Sequence, residues 1–318
     1  MNRLGIAGLP GLSEPATPED ANERQRLPEK TSEQRLKQIT TAFRFSDIMD
    51  HLSSGFSDVD HCSDPSLFAS CLATLNSLPY FQDYKRKSFE LMGAREGSKV
   101  LEVGSGLGFD AISLSRIVGS SGRVVAMDSS HRMLKAAQER EKNPGQAIEF
   151  VLGDASQMGF HDGCFDGSRI DRTLQHTRQP EKVLAEIVRV TRRGGCIVAY
   201  EPDWGTFTIA SRNRQVTRKL VDNWCDNFKS GWIGRDLYEH FRRLDLVDIQ
   251  IIPSTLVVTD IGLAERVFDL SRNANRAVDL GLVSRSEAKG WLDELREDDI
   301  RGVFFCSYTG FMAAGRKK

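Results

Sequence analysis

This chain has almost no net charge: 43 lysines and arginines nearly cancel 44 aspartates and glutamates, leaving −1 over 318 residues. A balanced chain has no field of one sign with which to collect a polyanion or an anionic membrane. The longest basic runs are Lys85-Arg86-Lys87 and the terminal Arg316-Lys317-Lys318, so nucleic acid is not expected as a partner. Apolar runs fall short of the ~18 residues a membrane-crossing helix needs. The first residues show no apolar segment behind basic ones of the kind that directs secretion. The six cysteines, at 62, 71, 164, 196, 225 and 306, include no C-x-x-C pair, which argues against a disulfide framework or a zinc site. Clustered metal ligands are also missing, so no metal is expected. With 40% hydrophobic and 27% charged residues, the chain reads as a soluble, cytoplasmic globular protein, monomeric or homodimeric.

One further absence is diagnostic. Residues 100–110 read Val-Leu-Glu-Val-Gly-Ser-Gly-Leu-Gly-Phe-Asp, a short apolar run with Glu102 inside it, broken by Gly104, Gly106 and Gly108. Such a run ending in glycines is a buried strand entering a tight loop, and a helix pattern follows over Phe109–Val118. Strand, glycine loop and helix form the frame of a nucleotide-type cofactor site. A dinucleotide fingerprint, G-x-G-x-x-G, would place its third glycine at position 109, where Phe109 stands. The loop is G-x-G-x-G instead.

The strand–helix rhythm continues. Strands are expected at Lys99–Val103, 122–128, Ile148–Leu152, a weaker one at 165–170, and one at 193–200 that ends before Glu201. Helices are expected over 110–118, 133–142 and 180–191. This alternation implies a parallel sheet with helices on both faces. Beyond Glu201 the pattern is mainly helical (213–228, 234–244, 261–280, 284–295), with strands at 246–253 and 302–314. Asp64-Pro65 is a cap and first-turn pair for one of the helices that precede the sheet. Residues 1–45 are polar and weakly periodic, a flexible tail. The division expected is a tail, 1–45, and a domain, 46–318, with a cofactor core at about 85–204 and covering elements at about 46–84 and 205–300.

The Glu102–Gly108 motif, Met127-Asp128, Gly153-Asp154, Phe165-Asp166 with Leu174-Gln175-His176, and Arg193-Gly194-Gly195 together resemble the class I S-adenosylmethionine-dependent methyltransferases, in particular the ubiquinone/menaquinone-biosynthesis (type 11) small-molecule enzymes. The resemblance covers roughly residues 65–318. Ser105 stands where Cys or Ala is commoner, and Arg193 where Pro is usual. The fold implied is α/β: a doubly wound, mostly parallel seven-stranded Rossmann-like sheet with helical lid elements. The cofactor implied is S-adenosyl-L-methionine, and the reaction a methyl transfer to an O, N or C nucleophile of a small metabolite, secondary-metabolite or quinone-like. Open alternatives are a non-catalytic adenosylmethionine-binding protein and a nicotinamide-dependent oxidoreductase. An arsenite-methylating version would need converging cysteines.

Site roles follow from the same alignment of motifs. Glu102 serves the cationic end of the cofactor beside Gly104, Ser105, Gly106 and Gly108. Asp128, ending the second strand, accepts from ribose hydroxyls, with Ser129 and Met133 following it. Asp154 holds the adenine amino group, with Ala155 against the ring. Arg172, Tyr84 and Lys85 complete the cofactor set. His176 is the candidate general base, since an ordinary imidazole is neutral at pH 7. Asp203 orients an amine or hydroxyl, and Tyr80, Gln175 and Trp204 face the substrate.

Overall fold

The computed structural model describes residues 51–141 and 147–318; the expected tail, 1–45, lies outside them. A seven-stranded sheet is built from β1 (Lys99–Val103), β2 (Arg123–Asp128), β3 (Ile148–Leu152), β4 (Phe165–Asp171), β5 (Thr191–Ile209), β6 (Val247–Val258) and β7 (Cys306–Arg316) in the order β3-β2-β1-β4-β5-β7-β6. The first five strands pair in parallel, and β7 runs antiparallel between β5 and β6. The expected doubly wound sheet is present.

The central strands are apolar throughout because both faces are covered. On one face Val100, Val124, Ala126, Val198 and Tyr200 pack under a helical layer. Their chain neighbours Leu101, Val103, Val125, Met127, Ile197 and Ala199 pack on the other, the two-residue alternation of a pleated strand. The first layer takes in α1 (Pro65–Ser77), α2 (Pro79–Met92), α3 (Phe109–Val118) and α4 (His131–Arg140). The second takes α5 (Pro180–Val190), whose Val183, Leu184, Ile187 and Val190 form one buried stripe. Asp64 accepts from Ser66 N–H ahead of Pro65, as the sequence indicates; α4 starts two residues before the expected 133, where Ser130 accepts from Met133 N–H.

Downstream, α6 (Arg214–Asp226), α8 (Ile261–Phe268), α9 (Leu270–Asp279) and α10 (Arg285–Ile300) join the first layer, and α7 (Ile233–Arg243) the second. The helical pattern over 261–280 forms two helices, divided at Asp269, whose φ of 51° is left-handed. The β6 strand is longer than expected and carries Pro253, which an edge strand tolerates because no outer neighbour needs its missing N–H.

The main departure concerns β5. It does not end before Glu201. Past its last pair with β4 (Asp171↔Tyr200) it stays bound to β7 through Asp203↔Thr309 and resumes at Thr208↔Ser307. Antiparallel pairing on one side keeps its backbone satisfied while β4 stops, and a crevice opens beyond the end of β4. Packing between these strands is tight: Gly310 of β7 lies against the Tyr200 ring, and a Cβ there would collide with the phenol. Gly310→Ala is expected to cost about 1–3 kcal/mol by overpacking, read as a lower urea midpoint at constant slope; an unchanged midpoint would mean the contact is slack.

Candidate functional site

A cavity of about 500 Å³ opens at the carboxyl ends of β1 and β4, where the strand order reverses, the usual ligand position in such sheets. Its floor is the glycine loop. Gly104, Gly106 and Gly108 have φ of 71°, 50° and 74°. A Cβ on Gly104 would strike Thr173, and one on Gly108 would stand 2.9 Å from the Ala137 Cβ; close approach and backbone sign both demand glycine. Gly104 and Ser105 N–H groups bond Met127 O at 2.8 and 3.0 Å. The Asp128 carboxylate accepts from Gly106 N–H (2.7 Å) and Ser130 N–H (2.9 Å), fixing the loop against β2. Burial raises its pKa despite those donors.

Behind the loop lies a buried charge cluster. Arg169 of β4 donates to Glu102 Oε1 (2.5 Å), Asp110 Oδ2 (3.0 Å), Asp171 Oδ2 (2.7 Å) and Ser88 Oγ (2.7 Å). Lys85 Nζ bonds Asp110 Oδ1 at 2.8 Å, and the Tyr84 hydroxyl lies 3.1 Å from both Asp171 oxygens. Burial pushes the Glu102 carboxyl up by more than Arg169 pulls it down. Asp110 ends below its usual range because Lys85 and Arg169 outweigh burial. Glu102 Oε2 and Ser105 Oγ are buried with no hydrogen-bond partner among the described residues, and both residues line the cavity.

The far wall is the segment after β4. Glu201 accepts from the N–H groups of Thr173 (2.8 Å), Leu174 (2.6 Å) and Gln175 (3.3 Å), capping the 3-10 turn Leu174–His176. Arg172 enters that turn with φ 48°, a costly backbone for a residue with a Cβ. The His176 ring lies between Phe56 and Phe228, with centroids 5.4 and 5.5 Å away. Burial, then Arg172 and Lys229, lower its pKa to about 3. It is therefore neutral but a poor proton acceptor, whereas a general base works best with a pKa near the working pH.

The cavity wall brings together Lys85, Glu102, Gly104, Ser105, Gly106, Asp128, Ser129, Met133, Asp154, Ala155, Arg172, Gln175 and His176. Five expected residues stand apart from it. Gly108 caps α3 behind the loop. Tyr84 stacks on Tyr200 at 3.8 Å, and the Tyr80 hydroxyl lies within 2.7 Å of the Tyr200 hydroxyl and donates to Ser254 O at 2.8 Å. Asp203 is held by Arg235 at 2.7 and 2.8 Å. Trp204 lines a smaller second cavity. The reason is the extension of β5: alternation sends Tyr200 and Trp204 to one face and Asp203 to the other, so they do not converge on a strand end. Asp110, Arg169, Asp171, Thr173 and Glu201 were missed. For Arg169, Asp171 and Glu201 the sequence signal is a charge inside an apolar strand, as in Ser168-Arg169-Ile170-Asp171; Asp110, in α3, and Thr173, in the turn after β4, carry no such signal. Among the described residues no group of side chains is arranged to hold a metal.

The profile of the ubiE/COQ5 methyltransferase family matches residues 70–217. A 37.1 kDa uncharacterised protein of transposon Tn4556 from Streptomyces fradiae is 35% identical over 74% of this chain and 67% of its own length. The ubiquinone/menaquinone biosynthesis C-methyltransferase UbiE of Pseudomonas putida is 35% identical over 41% of this chain and 51% of its own length. The demethylmenaquinone methyltransferase of Staphylococcus carnosus is 33% identical over 46% and 62%. This chain thus matches between half and two thirds of its named relatives. The chain belongs to the class I S-adenosylmethionine-dependent methyltransferases. Its fold is shared with YcgJ of Bacillus subtilis (TM-score 0.53, 17% identity, 74% of this chain and 99% of that one). It is shared also with phosphoethanolamine N-methyltransferase 2 of Haemonchus contortus, which was crystallised with S-adenosylhomocysteine (TM-score 0.53, 17% identity, 83% and 60%).

The residues of this methyltransferase fit that cofactor. A buried carboxylate oxygen with no partner calls for a cation, and adenosylmethionine has an ammonium and a sulfonium. Because burial raises the Glu102 pKa, a proton must leave before the carboxylate meets an ammonium. Affinity for S-adenosylhomocysteine should therefore climb with pH across the neutral range, then level. Glu102→Gln should bind more weakly with a flat profile in calorimetric titration; a flat wild-type profile would detach Glu102 from the cofactor.

Proposed function

We propose that this protein transfers the methyl group of S-adenosylmethionine to a carbon or oxygen nucleophile of a small, hydroxylated, planar metabolite of the quinol type. The unpartnered Oε2 of Glu102 carries the reading, because a pyrophosphate would want N–H donors and positive charge at that place, while a methyl donor with cationic groups wants a carboxylate. When bound, the cofactor supplies an electrophilic methyl on a sulfonium. Glu102, Ser105 and the backbone of Gly104 and Gly106 hold its methionine end, Asp128 and Ser129 its ribose, and Asp154, Ala155 and Met133 its adenine. Lys85, already paired with Asp110, sets the local charge. The named relatives, a ubiquinone/menaquinone C-methyltransferase and a demethylmenaquinone methyltransferase, support the acceptor class.

Most of the acceleration then comes from alignment. Holding donor and acceptor in a near-attack arrangement supplies roughly 7–11 kcal/mol, and the weakly basic His176 serves as a wall and an orienting group more than as a proton acceptor. Segments 51–84 and about 205–300 cover the acceptor, since Phe56, Trp224 and Phe228 come from them. A cytoplasmic setting agrees with six free cysteines. None of the described helices is long and apolar enough to cross a membrane.

The test is direct. Protein incubated with methyl-labelled S-adenosylmethionine and a panel of reduced quinones should yield labelled product and S-adenosylhomocysteine, undiminished by a chelator. Binding of the cofactor without transfer to any quinol would contradict the acceptor class, and complete loss in chelator would contradict the metal-free site.

A further inference from the structure

A second, smaller cavity of about 50 Å³ lies beyond the first and shares Phe56, Arg172, Gln175 and His176 with it. Half of its remaining wall residues are aromatic, Phe81, Trp204, Trp224, Phe228 and Tyr308, and the rest are aliphatic apart from Cys71. The Trp204 and Phe228 rings lie nearly parallel, 17° apart with centroids at 4.9 Å, and Trp204 Nε1 donates to Gln175 Oε1 at 2.7 Å, so the indole is fixed. The space equals less than two waters' share of liquid volume at about 30 Å³ each. It admits one end of a flat molecule whose remainder occupies the larger cavity.

The charged residue lining this space is Arg172. Its guanidinium sits over the Phe81 ring, 4.9 Å from the centroid, and Phe81 belongs to the second cavity alone. Its Nε has no hydrogen-bond partner among the described residues. The nearest carboxylate oxygen, Asp171 Oδ1, is 3.5 Å away, and Asp171 is already engaged by Arg169 and the Tyr84 hydroxyl. A guanidinium carries five donors in a planar fork and cannot shed its charge. One held among aromatic rings with an idle donor is costly unless an anion completes it. Its left-handed backbone and the triple cap from Glu201 hold it in place, the kind of strain that persists where a site needs a fixed group.

We infer that this second cavity receives the anionic end of the methyl acceptor, with the reacting atom towards the larger cavity, and that Arg172 selects planar acceptors bearing an oxyanion, an ionised phenol or enol or a carboxylate. The inference rests on the methyltransferase reading above and adds the charge of the substrate to it. It also moves Arg172 from the cofactor to the acceptor. A neutral ring would leave the buried Nε donor unfilled, with only the ion pair to the already engaged Asp171, so it binds more weakly than its anionic counterpart of the same shape.

Two matched probe pairs test this by ligand-observed NMR titration, with and without S-adenosylhomocysteine: benzoate against benzamide, and 4-nitrophenolate against 4-nitroanisole. At least one anion should bind the wild type tenfold or more tighter than its neutral partner, and the pair that does so identifies carboxylate or phenolate as the preferred source. Arg172→Gln should abolish that preference and Arg172→Lys should retain part of it, while S-adenosylhomocysteine affinity of both variants stays within about threefold and so reports an intact fold. Equal binding of charged and neutral probes overturns the inference, as does an unchanged preference in Arg172→Gln or the failure of every probe to bind. A loss of S-adenosylhomocysteine affinity in Arg172→Lys as large as in Arg172→Gln returns the guanidinium to the cofactor and also overturns it. Failure of the wild type to bind S-adenosylhomocysteine would instead strike the cofactor reading, and the titrations without it would still judge the pocket.

Discussion

The Arg169 guanidinium, almost fully buried in a central strand, touches Glu102 from β1, Asp110 from α3 and Asp171 from its own strand. Without it three carboxylates would share one low-dielectric space, and breaking such a pair by removing one partner typically costs about 3–5 kcal/mol. The cluster therefore fixes the relative position of the glycine loop, the helix after it and the end of β4, and these form the back of the cavity. Because Arg169 takes only Oε1 of Glu102, the other oxygen is left for a ligand. A single interaction thus serves both the fold and the site.

A second constraint comes from the unequal lengths of neighbouring strands. The β4 strand ends at Asp171 while β5 runs on, supported by β7. The chain leaving β4 has no further strand to pair with, and Glu201 of β5 takes up its free N–H groups instead. The turn so held carries Arg172, Gln175 and His176 to the boundary between the two cavities. Aromatic side chains from β5, α6 and the segments before the sheet then close the far side. This division explains why the larger cavity is carboxylate-rich while the smaller one is mainly apolar with one cation.

Much of the cofactor side was legible in the sequence because its signals are local. Gly104, Gly106 and Gly108 are constrained by backbone sign and close contacts a few residues wide, and Asp128 and Asp154 follow strands whose apolar runs are plain. The doubly wound sheet was legible for the same reason, through strand and helix alternation. The acceptor side was not. Where β5 ends depends on β7, about a hundred residues later, and that extension holds Asp203 against Arg235 and sets Trp204 in the wall of the second cavity. Arg169 and Glu201 read as ordinary charges until their distant partners are known, and the pKa of His176 is set by burial, by Arg172 at the entry of its own turn and by Lys229 on another segment. The break at Asp269 has a weak local signal, since an aspartate within a helical pattern rarely adopts a left-handed backbone.

The central claim is that the carboxylate-bearing glycine loop binds a cationic methyl donor and not a dinucleotide. Calorimetric titration of one protein preparation with S-adenosylhomocysteine and with NAD tests it most directly. The account predicts saturable binding of one S-adenosylhomocysteine per chain and no heat of binding with NAD; saturable NAD binding, or no binding of S-adenosylhomocysteine, would contradict it.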